Sequence, residues 1–94
     1  MTDPAEGPTI LIVDDDAAER EQTGRIFRGE GYDIVGVAGG VEALRIIESR
    51  DVAVLLTDLK MPEMDGQELL RHAKEARPEL QVIVVTGFGS VEGA

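Results

Sequence analysis

Ile10-Leu11-Ile12-Val13-Asp14-Asp15-Asp16 is the stretch on which the fold turns. Its apolar part is short, rich in β-branched residues and free of polar interruptions, which predicts a strand buried on both faces, as in a parallel sheet. The same design recurs at Val52-Ala53-Val54-Leu55-Leu56-Thr57-Asp58, again an apolar run that ends in a carboxylate. If the two strands are parallel neighbours, Asp14, Asp15 and Asp58 all fall at the carboxyl end of the sheet, where open α/β folds bind their ligands. Carboxylates gathered there repel one another unless a cation sits among them. An all-oxygen cluster of few carboxylates suits Mg²⁺, which keeps several waters and is often completed by a phosphate.

Working outward, strand and helix signals alternate. A first strand is expected over Thr9 to Val13, followed by a helix from Ala17 to Arg28 that Asp14 to Asp16 could cap and Gly29-Glu30-Gly31 would stop. That helix is polar, and Ala18, Ile26 and Phe27 are its expected anchors. Asp33 to Ala38 reads as a second strand, and Gly39-Gly40 turns into a helix from Val41 to Glu48 with Val41, Leu44 and Ile47 on one face. The third strand ends at Asp58, and the loop Leu59 to Asp65 leads through Pro62 to Gly66. A third helix runs to Ala76 with Leu69, Leu70, Ala73 and Ala76 inward, and Pro78 lies just past its end. Gln81 to Thr86 is a fourth strand, after which Ser90 offers an N-cap shortly before Ala94. A β-α-β-α-β-α-β order implies a parallel sheet with right-handed crossovers and helices on both faces, an α/β doubly wound arrangement.

Composition narrows the function classes. Ninety-four residues make one domain at most. The absence of cysteine excludes disulfides and thiolate metal sites and agrees with a cytoplasmic setting. The opening MTDPAEGP, residues 1–8, is acidic and lacks an apolar core, so it is expected to be a disordered lead-in and not a signal peptide. No apolar run approaches the roughly 20 residues of a membrane span. A formal net charge of −10 argues against direct nucleic-acid contact, which needs clustered Lys and Arg.

With these elements in place, the chain resembles the receiver domain of two-component response regulators. The resemblance rests on Asp14-Asp15 after strand one, on Asp58-Leu59-Lys60-Met61-Pro62-Glu63-Met64-Asp65-Gly66 after strand three, and on Val85-Thr86-Gly87 after strand four. The stretch Thr86-Gly87-Phe88-Gly89-Ser90 is most similar to receivers of the nitrogen-regulator type. The resemblance implies a flavodoxin-like sheet, here of about four strands in the order 2-1-3-4 with three helices. It implies that Asp58 accepts a phosphoryl group from a sensor histidine kinase. Mg²⁺ would be bound by Asp15, Asp58 and the Lys60 main-chain carbonyl, and by Asp14 through water. Thr86 would hydrogen-bond a phosphoryl oxygen and carry the signal, Gly87 would leave room for that group, and Pro62 and Gly66 would shape the loop.

Receivers of this family continue with a fourth helix, a fifth strand ending in a lysine, and a fifth helix, so residues 9–94 are expected to be a partial receiver. Neither Lys60 nor Lys74 can take the role of that lysine. Strand four then becomes an apolar edge, and such edges invite pairing, so self-association through strand four is expected. Two other functions fit the same residues. One is a pseudo-receiver that keeps the metal site but acts by binding a partner or dimerising; the other is a Mg²⁺-dependent aspartyl phosphohydrolase. Such hydrolases typically carry a second acid two residues after the nucleophile, where this chain has Lys60.

Overall fold

A computed structural model describes residues 7–59 and 64–85. In chain order the elements are β1 (Thr9–Val13), α1 (Ala17–Gly29), β2 (Asp33–Val37), α2 (Gly40–Ser49), β3 (Val54–Asp58), α3 (Gly66–Ala76) and β4 (Gln81–Val85). The strands form one sheet in the order β2-β1-β3-β4, and every pairing is parallel. This is the expected flavodoxin-like arrangement, with β1 and β3 adjacent and in register from Ile10↔Val54 to Val13↔Thr57.

The two faces of the sheet are packed unequally. On one, Leu11, Val13 and Leu55 meet Ala43 and Ile47 of α2 and Leu69 and Ala73 of α3, with Leu80 closing the end. Each fully buried leucine there contributes about 1.5–3 kcal/mol of transfer free energy relative to exposure. On the other face α1 lies over β1 and β2, and its one buried residue is Gly24, set against Ile34 and near Ile12. Ile10 and Ile12 are thereby 4% and 3% exposed, whereas Ile83 and Val85 of β4 remain 52% and 45% exposed.

Three expected helix faces are corrected by this packing. In α1, Ala18 is exposed and Ile26 is 65% exposed, so only Phe27 of the expected anchors is partly buried. The helix sits close to the sheet at Gly24, and that rotation turns Ile26 outward. In α2 the buried pair is Ala43 and Ile47, with Leu44 half-buried and Val41 turned to solvent, and the helix begins at Gly40. In α3, Leu69 and Ala73 are buried and Leu70 is half-buried, while Ala76 in the last turn is exposed. The third strand begins at Val54 and not at Val52, and the second ends at Val37. The ladder in β4 is described to Val85, and Thr86 lies outside the described residues.

Candidate functional site

Because β1 and β3 are parallel and in register, their last residues emerge at the same end of the sheet. Val13 is 1% exposed, and the next residue, Asp14, is the first to leave the core. Its N–H still donates to the Val37 carbonyl of β2 at 3.1 Å, and its Oδ1 accepts from the Asp16 N–H at 2.9 Å. Asp16 itself is the α1 N-cap, accepting from the N–H groups of Ala18 at 2.9 Å and Glu19 at 3.1 Å. The three consecutive aspartates therefore divide: Asp16 serves the helix, and Asp14 and Asp15 remain for the site.

Asp58 is held from several sides. Its carbonyl accepts from the hydroxyl of Thr57, the one buried polar residue among those described, at 3.0 Å. The following N–H, that of Leu59, donates to Val85 at 3.0 Å. The first turn of α3 presses on the same segment, with the Gly66 N–H donating to the Leu59 carbonyl at 2.8 Å. A Cβ at position 66 would lie 2.6 Å from the Asp58 carbonyl oxygen, so only glycine admits this approach. Asp65 caps the helix, accepting from the Glu68 N–H at 2.9 Å, and so fixes where that turn begins.

Together these elements bring carboxylate oxygens of Asp14, Asp15 and Asp58 within 4.8 Å of one another. Asp14 and Asp58 are half-buried and Asp15 is exposed, which gives a cluster closed behind and open in front. Asp58 Oδ1 is buried and has no hydrogen-bond partner among the described residues. A buried carboxylate oxygen without a donor is costly, and a hard divalent cation is the natural counterpart of an all-oxygen cluster of this kind. The donor set therefore fits Mg²⁺. The negative field is also felt one turn into α1: Asp14, then Asp16, push the carboxyl of the fully exposed Glu19 above the ordinary glutamate range.

Of the residues singled out in the sequence, the structure unites Asp14, Asp15 and Asp58. Lys60 and Thr86 lie outside the described residues, as do Met61, Pro62 and Gly87. Met64 packs against the core, and His72 sits 3.9 Å from Glu75 on its own helix. Lys74 donates to the carbonyls of Leu80 at 2.8 Å and Pro78 at 3.2 Å, at the turn before β4. Sequence reasoning overlooked Arg20, whose Nη1 donates to the Asp14 carbonyl at 2.7 Å. The available signal was Gly36, a glycine inside the apolar part of a strand, which often marks the close approach of another group.

Comparison with known proteins agrees with this fold. The family model for the response regulator receiver domain matches residues 10–94. The transcriptional regulatory protein GlrR of Escherichia coli K12 is 35% identical over 85 residues, covering 90% of this chain and 19% of its own length. The chain thus spans about a fifth of that relative. A CheY-like receiver domain protein from Methanospirillum hungatei superposes with a TM-score of 0.84 at 41% identity, covering 93% of this chain and 70% of the other. Response regulator TrrA of Thermotoga maritima, solved in complex with Mg(2+)-BeF, gives a TM-score of 0.84 at 27% identity, over 92% of this chain and 75% of that one. TrrA has also been solved in complex with the histidine kinase ThkA, where it matches with a TM-score of 0.83 at 27% identity over 90% of this chain and 73% of the other. No helix among the described residues is long and apolar enough to cross a membrane.

Proposed function

We propose, because this chain belongs to the response regulator receiver domain family, that it accepts a phosphoryl group on Asp58 from a sensor histidine kinase. The observation that carries this reading is the convergence of Asp14, Asp15 and Asp58 within 4.8 Å, with the buried Asp58 Oδ1 lacking a partner among the described residues. Asp14, Asp15 and Asp58 would hold Mg²⁺, with the Lys60 carbonyl as a further ligand. When bound, the ion neutralises charge on the transferring group.

The protein's own part is positioning. A carboxylate oxygen of Asp58 attacks phosphorus as the bond from phosphorus to the kinase imidazole nitrogen breaks, and the electron pair leaves on that nitrogen. The product is an acyl phosphate on Asp58. The Thr57 hydroxyl, the Leu59 N–H and the Gly66 turn fix the Asp58 main chain, so the nucleophile meets the donor with little reorganisation. The Asp16 N–H, donating to Asp14 Oδ1, fixes the direction of the Asp14 carboxylate. Thr86 would donate its hydroxyl to a phosphoryl oxygen and report its arrival. The ThkA complex of TrrA supports a kinase as the donor. A cytoplasmic setting follows from such a partner.

The test is intact mass spectrometry after treatment with Mg²⁺ and a small phosphodonor that labels a known receiver in parallel. One added phosphoryl group is expected, absent in Asp58→Asn. Mg²⁺ binding without any Asp58-dependent label would overturn phosphoryl acceptance and leave a metal-binding partner module.

A further inference from the structure

Arg20 lies in the second turn of α1, half-buried. Its Nη1 donates to the main-chain carbonyl of Asp14 at 2.7 Å, the short range of charge-assisted hydrogen bonds. No carboxylate among the described residues forms an ion pair with it. The stem reaches that carbonyl by crossing β2 at Gly36, where a Cβ would stand 3.1 Å from Arg20 Cγ and 3.2 Å from Cδ. Glycine inside a strand costs stability, and the crossing stem accounts for it here.

The main chain of Asp14 is thus held on both sides of its Cα. Its N–H is tied to Val37 of β2 at 3.1 Å and its carbonyl to the guanidinium of α1 at 2.7 Å. The carbonyl in question belongs to the peptide that joins Asp14 to Asp15, so its orientation sets the direction in which both side chains leave the main chain. We propose that Arg20 is a positioning residue, holding the Asp14–Asp15 peptide in the orientation that lets the two carboxylates meet a divalent cation, with Gly36 providing the groove for its stem. This rests on the reading that Asp14, Asp15 and Asp58 hold Mg²⁺.

A competing role for Arg20 makes the opposite prediction. As a mere positive charge beside an acidic cluster, Arg20 would oppose a cation, and removing it would tighten Mg²⁺ binding. As a clamp on the peptide, it favours the cation, and removing it weakens binding. Arg20→Lys and Gly36→Ala separate the two roles because both leave the net charge unchanged. Lysine ends one bond short of the place that Nη1 occupies, and a Cβ at 36, 3.1 Å from Arg20 Cγ, makes the stem give way.

The experiment is Mg²⁺ titration of the wild type, Arg20→Gln, Arg20→Lys and Gly36→Ala, followed by backbone amide shifts, with urea unfolding of each in the absence of Mg²⁺. Weaker binding by about three- to tenfold is expected in all three variants, at or below the low end of the effects of outer partners on metal sites. Reading the folded protein's amides keeps affinity separate from stability, and if Arg20→Gln does not fold, the other two variants decide. The proposal is overturned if Arg20→Lys and Gly36→Ala bind as the wild type does while Arg20→Gln binds more tightly. It is equally overturned if the variants lose urea resistance but keep wild-type affinity. Wild-type protein that shows no Mg²⁺ binding sensitive to Asp15→Asn would sink the metal reading itself, a result distinct from either.

Discussion

Gly66→Ala tests whether α3 and the Asp58 segment are in fact locked together. An alanine Cβ would lie 2.6 Å from the Asp58 carbonyl oxygen and 2.9 Å from Leu59 Cα, both main-chain atoms without a rotamer to yield. The carbonyl contact falls about 0.8 Å short of the 3.4 Å where ordinary contact begins, so the helix and the loop must part. Overpacking of this sort costs about 1–3 kcal/mol. Against it stands a gain of about 0.4–1 kcal/mol from restricting the unfolded chain. The clash wins, and a net loss of about 1–2 kcal/mol is expected. The control is Gly29→Ala at the end of α1, where a Cβ would meet nothing within 4 Å and the same entropic gain should appear unopposed. Urea unfolding reads both variants, and the Mg²⁺ titration should show weaker binding for Gly66→Ala only. Gly66→Ala as stable as the wild type, with wild-type affinity, would refute the reasoning, because it would show that the loop after Asp58 moves freely.

Two further outcomes are expected. In the absence of Mg²⁺, the Glu19 carboxyl should titrate above its ordinary 4.5, because Asp14 and then Asp16 oppose its charge. A pKa raised by folding stabilises below 4.5 and is lost as pH rises through the higher folded value, so Glu19→Gln should flatten stability across that window. Carboxyl NMR showing Glu19 at or below 4.5 would refute this. Ile83 and Val85 leave β4 an apolar edge among the described residues, so the chain should self-associate at micromolar concentration, more strongly in high salt as the charge of −10 is screened. Ile83→Lys should sediment as a monomer, and a wild-type monomer under the same conditions would refute pairing through β4.

Much of the fold was legible because its strands are short apolar runs with sharp polar ends. Ile10 to Val13 and Val54 to Leu56 admit little but a buried strand, and once they are parallel neighbours Asp14, Asp15 and Asp58 must meet. Helix orientation was harder to read. Periodicity alone placed Ile26 and Val41 inward, but α1 is drawn to the sheet at Gly24, a residue with no side chain to register in any hydrophobic pattern. The supports of the site were hidden for a related reason. Gly66 and Gly36 act through what they leave out, and neither their partners nor the distances are local in sequence. Arg20 looked like one more charge on a polar helix until its guanidinium was found on a carbonyl six residues earlier.

β1 raises a different matter. A strand with one wet face is held in place by its own alternation, but β1 is apolar on both sides, and Ile10 to Val13 are all nearly inaccessible. Sliding it one residue against β2 and β3 would exchange one aliphatic side chain for another almost everywhere. The exception is the end of the run: the slip would carry Asp14 into the place of Val13, which is 1% exposed, and a lone carboxylate there would cost several kcal/mol. Asp14 thus marks the register of β1, making the slip that would bury it the expensive one. Neutralising Asp14 would therefore be felt in the fidelity of folding as well as at the site.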